Sequence, residues 1–184
     1  MTLDNDNPLP ALPLVLKDTV SIVVIGDTGL EPHTLRAVLE GFNYRVEIHW
    51  TGSRAEVLEI LRGSIPTFDD IILSCHGDPE AGGILMPDEP VIAADELAVI
   101  VHLPGKRVLN LGCGLGTAAL AAAFLANGCA AYIGASDYAD GNSALFFAMH
   151  LYYFMALPNR KTLAESVELA RQHDAECALF QLYS

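Results

Sequence analysis

The chain has 184 residues, 52% hydrophobic and 18% charged, which is enough apolar material for one buried core and excludes a disordered chain. Lys and Arg total 10 against 23 Asp and Glu, a formal net charge of −13. No basic stripe is present for a phosphate backbone or an anionic lipid surface, so neither nucleic acid nor membrane is an expected partner.

Residues 1–17, with Pro8, Pro10 and Pro13, read as a flexible leader, and residues 18–184 as one domain. The leader lacks the basic start of a signal peptide, and no apolar stretch reaches the roughly 18 residues of a membrane span. Four cysteines, at 75, 113, 129 and 177, form no C-x-x-C pair. That usage fits a reducing compartment, and a cytoplasmic location is expected.

Val20–Ile25 is a β-branched run closed by Gly26, the pattern of a buried strand. Leu35, Val38, Leu39 and Phe42 recur at helical spacing, with Gly41 and Asn43 at the exit. Tyr44–Trp50 alternates as a strand. Ser53 and Glu56 have the capping-box spacing and open a helix carrying Val57, Leu58 and Leu61. Ile71–Leu73 is the next strand, ending in Ser74-Cys75-His76-Gly77. A Gly/Pro-rich stretch (Gly82, Gly83, Pro87, Pro90) leads to a helix near Ala93–Val101.

Arg107–Leu111 forms a fourth strand, ending in Gly112-Cys113-Gly114, and a small-residue helix from Thr117 to Ala126 stops at Asn127-Gly128. Ala131–Ala135 is a fifth strand and Asp137–Asn142 a loop. Helices near Ser143–Leu157 and Thr162–His173 close the chain; Thr162 and Glu165 repeat the capping-box spacing. Strands alternating with helices predict an α/β fold of three layers, with a mainly parallel sheet flanked by helices. Chemistry in such sheets lies past the carboxyl ends of the strands, here His76-Gly77, Gly112–Gly114 and Ser136–Asp140.

A free thiol ionises near pH 8.5 and gains nucleophilicity from an imidazole or a helix N-terminus. Cys113 is expected to have both, standing just before a helix while His76 ends an adjacent strand. The amides of Gly77 and Cys113 can face the oxyanion of an acyl transfer. Against this stands a plainer account, in which Cys113 is a small core filler and His76 a satisfied structural group. Cys75, next to His76, alternates to the opposite face and reads as core, as do Cys129 and Cys177. Phe146, Phe147, Tyr152 and Tyr153 read as core at helical spacing.

The segments Ile71-Ile-Leu-Ser-Cys-His-Gly77, Val108-Leu-Asn-Leu-Gly-Cys-Gly114 and Gly128–Gly134 with the acidic loop after it resemble the caspase-like cysteine peptidases (clan CD). Among these the chain looks most like the CHAT and separase-like branch, from about Thr19 to His173. The resemblance implies a caspase-like fold and a cysteine endopeptidase acting on a peptide or protein substrate. His76 is then general base and acid, and Cys113 the nucleophile. The nucleophile motif is Leu-Gly-Cys-Gly, where caspases carry Gln-Ala-Cys-x-Gly.

Relatives that cleave after Arg or Lys place a carboxylate in the side-chain pocket, a role open here to Asp137 or Asp140. Acidic residues in such a loop are otherwise solvated turn formers. Asn110 reaches the same region if its register allows. Thiol chemistry requires no cofactor. The remaining histidines have no partner at ligand spacing, and no loop has calcium-ligand spacing, so no metal is assigned.

Two alternatives stay open. Gly112, Gly114 and Gly116 give the G-x-G-x-G spacing of methyltransferases that bind S-adenosylmethionine, with Asp137 near the place of a ribose-binding acid. That motif normally follows the first strand, whereas here three strands precede it. The other alternative is a caspase-like signalling or scaffold domain whose dyad is silent.

Overall fold

The computed structural model describes residues 18–184; the expected leader, 1–17, lies outside the described residues. In chain order the elements are β1 (Thr19–Ile25), α1 (Glu31–Gly41), β2 (Arg45–Thr51), α2 (Arg54–Leu61) and β3 (Asp70–Ser74). Next come β4 (Gly77–Asp78), β5 (Gly83–Met86), β6 (Glu89–Ala93), α3 (Ala94–Ile100), β7 (Arg107–Asn110) and α4 (Ala118–Leu125). The last are β8 (Ala131–Ala135), α5 (Gly141–Met155), α6 (Leu163–Ala170) and β9 (Phe180–Tyr183).

Six strands make one sheet in the order β2-β1-β3-β7-β8-β9. The first five run parallel and β9 pairs antiparallel with β8. β1 and β3 are almost wholly buried, which is why they read as continuous β-branched runs; β2 lies at an edge and alternates. Successive side chains feed opposite layers. Ile22, Ile72 and Leu109 pack against Leu39, Phe147 and Val167 of α1, α5 and α6. Val23, Ile71 and Leu73 pack against Leu61, Leu97 and Phe124 of α2, α3 and α4.

Caps start the helices where the sequence predicts. Ser53 accepts from the Glu56 N–H, Thr117 from Leu120, and Thr162 and Glu165 form a complete capping box. Two elements escape the sequence pattern. The Gly/Pro-rich stretch forms a second, three-stranded antiparallel sheet, β4-β5-β6. β9 pairs antiparallel with β8 over four residues, and Phe180 at its start stacks on Phe147, ring centroids 4.0 Å apart. The aromatic expectation for α5 is half met: Phe147 and Tyr152 are buried, but Phe146 and Tyr153 face outward. The loop before α5 also ends sooner than expected, because Asp140 caps the helix and Gly141 opens it.

Candidate active site

β3 and β7 are adjacent, with Leu73 opposite Asn110, and both strands release the chain at the same edge. His76 follows β3 and Cys113 follows β7. The two line one cavity of about 320 Å³ together with Asp27, Glu31 and Ala139. His76 is exposed, and its Nε2 lies 2.8 Å from the carbonyl oxygen of Asp27 in the turn after β1. A carbonyl only accepts, so Nε2 carries a proton, and in the neutral tautomer this leaves Nδ1 as the acceptor nitrogen.

Cys113 is half-buried, and its thiol donates to the Ala139 carbonyl at 3.3 Å. On either side the backbone is pinned: the Gly112 N–H donates to Asn110 Oδ1 at 3.0 Å, and the Gly114 N–H to the Asp137 carbonyl at 3.0 Å. Among the described residues the Cys113 N–H meets no protein acceptor. The helix expected immediately after Gly114 begins later, at Ala118. Cys113 therefore sits in a turn of its own, without the helix N-terminus beside it.

Gly77 makes this turn compatible with the one after β3. A Cβ there would lie 2.0 Å from the Cys113 carbonyl oxygen, so only a glycine lets the two turns touch. The Leu85 N–H donates to the His76 carbonyl at 3.0 Å. By antiparallel alternation this makes Gly77 and Ile84 a non-hydrogen-bonded pair and leaves the Gly77 N–H outside the ladder.

Asn110 does not line the cavity; it is fully buried beneath the turn. Its Oδ1 accepts from the Gly112 N–H and, at 3.3 Å, from the Cys75 thiol, while Nδ2 donates to the Tyr132 hydroxyl at 3.2 Å. Burial foremost, and the Glu31 charge, push the Cys75 thiol far above its usual range, which makes it a poor nucleophile. Neither Asp137 nor Asp140 lines the cavity. Asp137 Oδ1 accepts from the Tyr138 N–H at 2.7 Å, and Asp140 Oδ1 caps α5 through the Asn142 N–H at 2.8 Å.

Two residues of the cavity carry no sequence signal. Asp27 acts through its backbone carbonyl, which any residue possesses. Glu31 opens α1, where an acid reads simply as a partner of the helix dipole. Yet its Oε1 accepts from the Ser74 hydroxyl at 2.6 Å, and Ser74 is in turn 2.8 Å from the Thr28 hydroxyl. Burial raises the Glu31 carboxyl above its ordinary range, against the opposing pull of the Ser74 hydrogen bond and the His76 charge.

The three glycines of the G-x-G-x-G spacing have a packing role. Cβ atoms at Gly112, Gly114 and Gly116 would lie 2.6 Å from Leu115, 2.6 Å from Pro79 and 2.1 Å from the Gly134 carbonyl oxygen. Neighbouring protein therefore occupies the backbone surface that a nucleotide would need. Among the described residues no group of three His, Cys, Asp or Glu side chains is placed to hold a metal ion. No helix among them is long and apolar enough to cross a membrane.

No protein-family model matches the chain, and no curated protein sequence does. Solved structures do. One, the Saccharomyces cerevisiae separase–securin complex at 2.6 Å, superposes with a TM-score of 0.60 and 13% identity over 92% of this chain. Another of the same complex, at 3.0 Å, gives 0.61 and 14% over 91%. The chain spans 12% of the length of each chain it matches. The fold is thus the caspase-like α/β fold found in separase, as the resemblance in the sequence implies.

Proposed function

We propose that this domain is a cysteine endopeptidase of caspase-like type, with His76 and Cys113 as its dyad and a peptide or protein as substrate. The observation that carries this reading is the shared cavity at the carboxyl edge of the sheet, lined by both the half-buried Cys113 and the His76 imidazole, whose Nε2 is engaged by the Asp27 carbonyl. Nδ1 takes the Cys113 proton and the thiolate adds to the scissile carbonyl carbon. The Gly77 and Cys113 N–H groups receive the oxyanion. The tetrahedral adduct collapses by expelling the amine, which takes the proton back from His76. Water, deprotonated by His76, then cleaves the thioester and regenerates the thiol. Asn110 belongs to this machinery as a positioning residue, holding the turn through the Gly112 N–H. A preference for basic residues before the scissile bond is the finer part of the proposal.

One observation favours the alternative of a silent dyad: the hydrogen-bond partner of the Cys113 thiol is the Ala139 carbonyl and not the His76 ring. Intact mass after treatment with a peptidyl acyloxymethyl ketone bearing Arg decides between them. One adduct on the wild type, absent in Cys113→Ala and about 10²–10⁴-fold slower in His76→Ala, is the expected result. Labelling at equal rates with and without His76, or on another cysteine, rejects the dyad.

A further inference from the structure

We infer that the outer edge of β2 is an interaction surface, and that its partner is the β2 of a second copy of this chain, joined antiparallel about a two-fold axis at Ile48.

β2 is the outermost strand of the six-stranded sheet, and among the described residues it pairs only with β1. The Arg45 N–H donates to the Asp18 carbonyl, so Arg45, Glu47, His49 and Thr51 turn their backbone groups towards β1. Val46, Ile48 and Trp50 turn theirs outward, and among the described residues these N–H and C=O groups meet no protein partner. The strand runs from Arg45 to Thr51 without Pro, Lys or a bulge, devices that commonly blunt such an edge. Trp50, the single tryptophan of the chain, is 57% exposed and stacks on His33 of α1, ring centroids 5.2 Å apart.

The order of residues along β2 makes a second copy the fitting occupant. The register of greatest overlap sets Ile48 opposite its own copy, Val46 opposite Trp50 and Arg45 opposite Thr51. It also sets Glu47 opposite His49, an acid facing an imidazole, and brings no like charges together. Val46, Ile48 and Trp50 then meet only one another, so each of those pairs exchanges both its N–H···O bonds. An axis normal to the sheet keeps each face on its own side. The apolar side chains therefore join on the α1 face, where Val46 and Ile48 already pack, and the polar ones join on the other. Antiparallel pairing points the carboxyl edges of the two sheets in opposite directions. The two His76–Cys113 cavities face away from each other, and the inference stands or falls independently of the dyad.

Sedimentation equilibrium of the full chain at pH 7, read beside Trp50 fluorescence, tests this. A monomer–dimer equilibrium with a Kd of about 1–100 µM is expected, the weak range for an interface built on one strand pair. Trp50 emission should move to shorter wavelength as the protein is concentrated. Trp50→Lys changes an exposed side chain, and should raise the Kd at least about 10-fold with the urea midpoint of the monomer kept. Glu47→Lys and His49→Glu should each weaken the homodimer about 3- to 10-fold, since each spoils the facing pair in both halves. Mixed, the two variants should prefer each other: the introduced Lys faces the introduced Glu, and the native Glu47 of one faces the native His49 of the other. A chain that stays monomeric throughout overturns the inference, as does a dimer that Trp50→Lys leaves intact. Mixed variants without preference for each other also overturn it, because another register or another surface then joins the copies.

Discussion

The two ends of the same parallel strands are built on opposite principles. At the amino ends, Asp70 of β3 faces Arg107 of β7 across the ladder, and the two are joined by bonds of 2.6 and 2.5 Å. Asp18 and Arg160 pair nearby at 3.3 Å. Four of the five charged side chains that line the cavity there, of about 210 Å³, are thus paired, and Lys161 is the one of them without an ion pair among the described residues. At the carboxyl ends His76 and Cys113 are each tied to one backbone carbonyl and Glu31 to one hydroxyl. Side chains held in place with capacity left over are ready for a partner. A polar cluster at a strand edge is therefore informative through what it leaves unsatisfied.

The largest expected effect breaks the amino end and spares the other. Arg107→Ala leaves the nearly inaccessible Asp70 carboxylate without its cation, and should cost about 3 kcal/mol in urea unfolding. Pairing Asp70→Asn with Arg107→Met should restore most of it, since the penalty lies in the stranded charge. Labelling of Cys113 in the folded protein should be unchanged in both. A large fall in labelling would mean that the two ends are coupled through β3 and β7.

A smaller loss of stability with a larger loss of function is expected from Asn110→Ala. The Gly112 N–H loses its buried acceptor, worth about 2 kcal/mol. The Cys113 turn loses its brace, and a misplacement of about 1 Å can lower the labelling rate roughly 100-fold. Asn110→Asp retains the acceptor and should recover part of that rate. Equal losses of rate and stability across both variants would leave Asn110 a purely structural residue.

This division also explains what could be read from the sequence. β1 and β3 were legible because burial on both faces writes itself as near-continuous apolar runs, β2 because an edge strand alternates, and three helices because Ser53, Thr117 and Thr162 cap them. β9 was not: its four residues carry no period of their own, and its pairing with β8 joins segments far apart in the chain, Ala135 to Phe180 at the nearest. β4 has only two residues, β5 begins in the glycine pair Gly82-Gly83, and β6 is interrupted by Pro90, so none of the three resembles a strand. His76 and Cys113 stood out because each follows a strand and precedes a glycine. Glu31 was hidden, because its partners Ser74 and His76 are far along the chain and only the sheet brings them near. The buried place of Asn110 beneath the turn was equally invisible, since strand alternation shows which residues share a face but not how the turn beyond them bends.

The smallest effect concerns Glu31, an acid in the cavity of His76 and Cys113. Burial raises the Glu31 carboxyl above its ordinary 4.5, so the folded state keeps that proton at a pH where the unfolded chain has released it. The stabilisation from this uptake is complete below 4.5 and is lost as pH rises through the folded value. Glu31→Gln has no such loss. It should be modestly more stable than the wild type at pH 7, with the difference closing as pH falls through the raised folded value towards 4.5. His76 and Asp27 share the cavity and Ser74 touches the carboxyl, so the comparison is made between these two proteins under identical conditions. Urea midpoints across pH 4–8 supply the measurement. A wild type more stable than the variant at pH 7 would mean that a charge already present, His76 being the nearest, compensates the carboxylate. Glu31 would then be a compensated acid, as Asp70 is at the other end of the same strands.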